Sequence, residues 1–587
     1  LGPRIFVVLG LSILIAAVAA LAARGLTALI GLITNLAFYQ RFSAEFRSPA
    51  GHHLGLWVIF IPPLGGLIVG MMARYGSRAI RGHGIPEAME QILFNQSRIP
   101  PRLTFLKPLS AALAIGTGGP FGAEGPIIAT GGALGSVVGQ VTKTSADERK
   151  TLLAAGAAAG MAATFGSPVS AVLLAIELLL FEYRARSFIP VALASAVAAG
   201  IRIRFAGTAA VFGMPAVPPP SGIAILSYIG LGLLIGGIAV AVTRSVYAVE
   251  DAFERVPLHW SWWPALGGLA VGVIGYFEPL TMGVGYENIE GILSGSITGQ
   301  VLFWLCLLKF LSWVIALGSG TSGGTLAPLF TFGGGAGALI GVAVATVLPG
   351  AGIDPRMAAL VGMAAMFAGA SQALLASVVF AFETTLQPFS LLPLLGGCSV
   401  AYLTCRLLMR NSIMTEKIAR RGLPVVSDYS ADMLASTLVG GFASRQVVSL
   451  RSSQTLGEVR AWAASAVAGN HNGFPVLDEH NHLAGVVTRK DIDRGDMASD
   501  SRISDLFQRP PVVIREDNTI REAIDLMVRE GVGRLPVVRG DLGNEVAGIL
   551  TRSDLLAAYG SRLQESHHRQ RTLKVSPGLL RRTGAKE

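Results

Sequence analysis

The sequence predicts a polytopic α-helical membrane domain built from two repeated halves, followed by a soluble α/β pair. Three observations carry that prediction. The 587 residues are 51% hydrophobic and only 14% charged, where a soluble protein carries roughly 25% charge. Residues 1 to about 410 are mostly Leu, Ala, Val, Ile and Gly, whereas the remainder has an ordinary soluble composition. Finally, Gly156 to Glu177 (GAAAGMAATFGSPVSAVLLAIE) and Gly362 to Glu383 (GMAAMFAGASQALLASVVFAFE) match without a gap at an offset of 206 residues. An internal repeat inside an apolar chain is the mark of repeat-built transporters. The membrane domain is placed at 1–422, with halves at about 1–210 and 220–422.

Apolar runs lie near 5–24, 54–73, 105–118, 126–141, 150–166, 168–183 and 187–205, and again near 222–246, 262–277, 299–317, 326–348, 356–370, 371–386 and 390–409. The run from Ile5 to Ala23 lacks a signal-peptide cleavage pattern and reads as a first spanning helix. The sequence does not begin with Met, which leaves open whether residues precede it. Several runs are too short to cross a core of about 30 Å, so broken segments are expected.

Three Gly/Pro interruptions each open a new apolar run. They are Gly82-His83-Gly84-Ile85-Pro86, Gly122-Ala123-Glu124-Gly125-Pro126 and Gly323-Gly324-Thr325-Leu326-Ala327-Pro328. Moving an anion into low dielectric costs on the order of 20 kcal/mol by the idealised Born estimate, and a fixed buried cation would trap the ion. A helix N-terminus is milder, with roughly half a positive charge and free N–H groups. Glycine admits close backbone approach, and Pro in the first turn sacrifices no needed donor. The interruptions are therefore read as half-helix starts aimed at one anion site, against the plainer reading of helix-packing turns. Glu124 lies inside one of them, where a carboxylate is expensive and asks for a functional reason. Ionised, it can occupy and block the site; protonated, it can leave. The plainer alternative is a structural glutamate bonded to neighbouring N–H groups.

The net charge of +10 is not read as nucleic-acid binding. Arg406, Arg410, Lys417, Arg420 and Arg421 cluster where the last apolar run ends, which places the soluble part in the cytoplasm. Cys306, Cys398 and Cys405 lie in apolar segments without metal spacing and are read as packing residues. A divalent-cation transporter would need clustered intramembrane acids, and only scattered ones occur. No nucleophile–base pairing suggests an enzyme.

The soluble part spans 437–560, as two units at 437–496 and 503–560. Gly473-Phe474-Pro475-Val476-Leu477 precedes Gly485 to Asp491, and Arg534-Leu535-Pro536-Val537-Val538 precedes Gly548 to Asp554. Each reads strand, turn, strand, helix, and Thr519 to Glu530 has helical periodicity. The basic, polar tail at 561–587 is expected to be disordered.

Through these motifs the chain resembles the CLC family of chloride channels and proton-coupled chloride antiporters over residues 1–422. Gly82 to Pro86 matches the family's GSGIP motif with His83 for Ser, Gly122 to Pro126 matches GREGP with Ala123 for Arg, and Gly323 to Pro328 matches GGIFAP with Thr325 and Leu326 for Ile and Phe. Lys107 stands where the family has a lysine ahead of GREGP; it either raises the potential of the pathway or snorkels. Glu177 and Glu383 match the acidic ends of the family's repeated helices and are read as capping or pairing there. The resemblance implies a homodimeric membrane protein, CLC-type, with two inverted halves forming a separate pore in each subunit. It implies chloride as ligand and no required cofactor. The implied anion site comprises Gly82, His83, Gly84, Ile85, Gly122, Ala123, Gly125, Thr325, Leu326 and Met414, with Glu124 as gate.

The departures matter as much. Leu178 stands where the family's antiporters carry an inner proton glutamate, and Met414 stands at the central tyrosine. A passive channel is favoured by Leu178 and a proton-coupled antiporter by Glu124. The C-terminal pair resembles a cytoplasmic CBS tandem. Thr488 and Asp491, and Thr551 and Asp554, match its Gly-x-x-Thr-x-x-Asp pattern, which implies either adenine-nucleotide sensing or a dimerisation module with an empty cleft. A bacterial inner or plasma membrane is the expected location.

Overall fold

The computed structural model describes residues 3–422, 434, 437–464, 471–494, 497–507, 509–539 and 545–567. The expected tail at 561–587 begins later than read: α21 continues to His567, and residues 568–587 lie outside the described residues. The chain divides after Gly422 into two compact units.

The first unit is helical. Its first half runs α1 (Arg4–Tyr39), α2 (Ile61–Tyr75), α3 (Ile85–Phe94), α4 (Leu103–Gly116), α5 (Glu124–Val141), α6 (Ala146–Phe165), α7 (Pro168–Ala175) and α8 (Ala185–Ala206). Its second half runs α9 (Gly222–Glu254), α10 (Trp263–Phe277), α11 (Tyr286–Ser294), α12 (Gly299–Gly318), α13 (Leu326–Val347), α14 (Pro355–Ser371), α15 (Leu374–Thr385) and α16 (Leu391–Leu408), with a short α17 (Glu416–Arg420) behind it. Among the described residues, seven helices are long and apolar enough to cross a membrane: α1, Gly55–Tyr75, α8, α9, α12, α13 and α16. Of the rest, α6 (20 residues) and α5 (18 residues) are long enough but not apolar enough, and the others are shorter, as the breaks in the sequence predict.

The two halves repeat one packing scheme. α5 lies along α6, and α13 along α14. Both pairs pack backbone to backbone through glycine. A Cβ on Gly131 would sit 2.1 Å from the Gly156 carbonyl oxygen, and one on Gly362 would sit 2.4 Å from the Gly333 oxygen. Small residues at such crossings replace the hydrophobic drive that lipid removes.

The repeated glutamates tie the halves together. Glu177 accepts the N–H groups of Leu375 and Ala376, each at 2.9 Å, at the start of α15. Glu383 accepts those of Val169 at 3.0 Å and Ser170 at 2.8 Å, at the start of α7. Each half thus caps a helix of the other, and orphan N–H groups at a helix start are satisfied both times.

Two elements differ from the sequence reading. α1 continues fifteen residues beyond 24, because Arg24 does not end it: its guanidinium lies 4.2 Å over the Phe205 ring. At 36 residues it is about 54 Å long, more than a bilayer core needs. The helix α11 was not anticipated at all.

The second unit holds two three-stranded sheets, ordered β1-β2-β3 and β4-β5-β6. β2 (Gly473–Leu477) and β3 (Leu483–Thr488) pair antiparallel, with β1 (Leu450–Arg451) parallel to β2. β5 (Arg534–Arg539) and β6 (Glu545–Thr551) pair antiparallel, with β4 (Ile514–Arg515) parallel to β5. Helices α18 (Leu456–Ala463), α19 (Arg489–Ile492), α20 (Ile520–Glu530) and α21 (Arg552–His567) accompany them. One core gathers around Phe474, Val476 and Val487, the other around Leu535, Val537 and Leu550. Capping boxes start α18 (Thr455 with Glu458) and α20 (Thr519 with Glu522).

Candidate functional site

The three Gly/Pro interruptions meet. Gly82 donates its N–H to Thr321 O at 3.3 Å, and Gly323 donates to Gly82 O at 3.4 Å. Gly122 and Gly324 exchange both backbone bonds, at 3.2 and 2.9 Å. Gly82 and Gly84 sit at φ +93° and +94°, which disfavours side chains there. A Cβ on Gly125 would lie 2.0 Å from the His83 carbonyl oxygen. The starts of α3, α5 and α13 are laced into one backbone junction. Ile85, Ala123 and Leu326 are buried at that junction.

Glu124 begins α5 and is completely buried. Its carboxylate faces the N–H groups of Glu124 and Ala327, at the starts of α5 and α13. Oε1 accepts the Tyr286 hydroxyl at 2.9 Å, while Oε2 is buried without a hydrogen-bond partner among the described residues. The loop ahead of α3 places His83, 5% exposed, beside Gly125. The His83 ring faces the Ile413 backbone, and its Nδ1 has no partner among the described residues. The Thr325 hydroxyl is likewise buried and unpartnered. Buried polar atoms without partners are uncommon and call for one.

Lys107 does not snorkel. It is buried and donates to Ile80 O at 2.8 Å and Gly82 O at 2.7 Å, clamping the loop that carries His83. Lys417 pairs with Glu87 at 2.6 Å, and the Glu87 carboxylate accepts the Gly84 N–H at 2.8 Å. A cavity of about 490 Å³ opens from this cluster, lined by Arg78, Arg81, His83, Tyr247, Lys417 and Arg420 among others. Arg81 lies over the rings of Trp260 and Trp263.

Met414 is fully buried and donates its N–H to Ser412 Oγ at 3.2 Å. Beside it, Tyr247 of α9 donates its hydroxyl to Ile413 O at 2.8 Å. A tyrosine hydroxyl thus reaches this end of the site from a different helix. Leu178 is buried in the π-helical turn Ile176–Leu180 that follows α7.

The sequence reading missed Tyr286, Tyr247 and Lys309. Tyr286 opens α11 after Gly283-Val284-Gly285, where both glycines have positive φ. Lys309 clamps that loop by donating to Thr281 O at 3.1 Å and Gly283 O at 3.2 Å. This repeats the Lys107 arrangement on the other half.

In the second unit, the Thr488 hydroxyl donates to Asp491 Oδ2 at 2.6 Å, and the Thr551 hydroxyl to Asp554 Oδ2 at 2.7 Å. Both carboxylates also accept the threonine's own N–H. Each pair caps the helix after its strand, α19 or α21.

The chain is similar to known proteins along most of its length. A family model described as voltage gated chloride channel matches residues 65–406, and one described as CBS domain matches 439–496 and 503–561. A ClcB-like protein of Ralstonia nicotianae is 30% identical, covering 68% of this chain and 96% of its own. The H(+)/Cl(-) exchange transporter ClcA of Vibrio vulnificus is 30% identical, with 68% and 91% covered. Chloride channel protein CLC-f of Arabidopsis thaliana is 28% identical, with 82% and 70% covered. Among solved structures, a slow cyanobacterial Cl-/H+ antiporter superposes with a TM-score of 0.65 at 23% identity, covering 72% of this chain and 98% of its own. A eukaryotic CLC transporter superposes at 0.62 with 20% identity, covering 93% and 97%. With its apolar helices, its laced half-helix starts and these matches, the chain is a membrane protein of the voltage gated chloride channel family, carrying a CBS pair behind its membrane domain.

Proposed function

We propose that this protein is a passive channel for chloride or a similar small monovalent anion, gated by Glu124. The observation that carries the reading is the Glu124 carboxylate, buried at the junction of the half-helix starts. A negative group held there occupies the place that backbone N–H groups offer to an anion. Protonation removes its charge, and the site passes to the permeant ion. Thr325 brings an unpartnered hydroxyl to the same junction and serves as a donor to the ion, and the His83 Nδ1, also unpartnered among the described residues, serves as one when it carries a proton. The backbones of Gly82, Gly84, Ile85, Gly122, Ala123, Gly125 and Leu326 shape the site, and Met414 bounds its inner end. Leu178 favours a channel, because an apolar side chain cannot relay a proton. The cavity beside Lys417 and Arg81 supplies the inner entry, and its positive charge draws anions in.

The protein works as a homodimer with its CBS pair in the cytoplasm. Proton-coupled exchange is the second reading, favoured by Glu124 itself, a protonatable group in the pathway. Reversal potentials in reconstituted liposomes, under separate chloride and pH gradients, test the choice. A channel gives a reversal potential set by chloride alone. A chloride gradient that drives proton uptake at fixed stoichiometry moves the protein to the exchangers, and cation flux without anion flux overturns both readings.

A further inference from the structure

We infer that Tyr286 is an outer latch of the gate, its hydroxyl holding the ionised Glu124 side chain in the blocking position. The inference rests on Glu124 being the gate, and adds a residue that nothing in the motifs of the pore supplies. The Tyr286 hydroxyl donates to Glu124 Oε1 at 2.9 Å and also faces the Ala123 N–H. Accepting from one and donating to the other, it is oriented towards the carboxylate. A bond from a neutral donor to a charged oxygen is roughly twice as strong as one to a neutral oxygen. The latch therefore grips the blocking form and loosens when Glu124 takes up a proton.

The ring is fixed from several sides. Phe46 stacks on it with centroids 6.2 Å apart, Phe165 meets it edge-on at 5.8 Å and Phe212 lies at 5.9 Å. Its backbone follows the loop clamped by Lys309. With the ring held, it is the carboxylate that moves when the bond breaks.

Among the described residues, no charged side chain pairs with Glu124 and competes for this role. On the loop before α3 and on α3, α4 and α17, His83, Glu87, Lys107 and Lys417 form their own cluster. On α12, Lys309 is bonded to the Thr281 and Gly283 carbonyls. Glu177 and Glu383 cap α15 and α7.

The test is chloride efflux from liposomes holding the full-length protein, measured against pH. Tyr286→Phe keeps the ring and removes the donor. Protons then compete with a weaker grip, and the pH of half-maximal efflux is expected to rise by about one unit. Tyr286→Leu, which removes the hydroxyl by another route, is expected to shift it in the same direction. Added to Glu124→Gln, Tyr286→Phe should change nothing. A wild-type midpoint in both single variants, or a shift that persists in the Glu124→Gln background, overturns the latch. Wild-type pH dependence in Glu124→Gln alone overturns the gate as well, so the two failures are told apart.

Discussion

Glu124 is held by hydrogen-bond donors rather than by a cation, so the balance between its two forms depends on the proton and on the anion competing for its place. Glu124→Gln cannot ionise. Efflux through this variant should be flat over the pH range in which wild-type efflux changes, as read by a chloride electrode. His83 presents an imidazole where a hydroxyl would suffice, with Nδ1 unpartnered. A hydrogen bond to a charged partner contributes about 1.5–3 kcal/mol, a factor of ten or more in an equilibrium. His83→Ser should keep chloride flux but change the ratio of chloride to nitrate flux by up to about tenfold. An unchanged ratio would mean that the imidazole serves only the Ile413 backbone.

At the scale of elements, the two loop–lysine pairs stand as a matched set. Lys309 is fully buried, and its ammonium is bonded to the Thr281 and Gly283 carbonyls. Lys309→Met would strip both oxygens of their donor, and leaving buried acceptors unsatisfied costs about 1–3 kcal/mol each. Thermal unfolding of the protein in detergent should show that loss. The first-half loop was legible in the sequence because Gly82, Gly84 and Pro86 are local punctuation. The second-half loop keeps the same Gly-x-Gly but continues Tyr286-Glu287, without a proline, and so went unread as a helix start. Its signal was the repeat itself, since Lys309 follows Gly283 at the spacing at which Lys107 follows Gly82, to within one residue. Tyr247 had no such signal. Its partner, Ile413, is 166 residues away, and only the packing of α9 brings them together. The Gly, Pro and Glu positions could be read because backbone geometry demands those residue types locally; the tyrosines could not, because their partners are chosen by the fold.

For the molecule as a whole, the second unit offers a separate measurement. Asp554 caps α21 through Thr551, so Asp554→Ala should cost about 1 kcal/mol of that unit's stability with no ligand present. If the unit senses adenine nucleotides rather than serving as a dimerisation module with an empty cleft, ATP, ADP or AMP at a hundredfold excess over Kd should stabilise the wild-type protein by about 2.7 kcal/mol, and Asp554→Ala should abolish that gain. Equal losses with and without nucleotide would leave Asp554 as a cap alone. The crossed glutamates of the membrane unit have a consequence for how the chain can be assembled. Because Glu177 closes α15 and Glu383 closes α7, neither half is complete until the other arrives, like two hands in a clasp. A cut at the exposed Gly207-Thr208 step should give fragments that are each degraded when made singly, yet recover anion flux when made together in one cell.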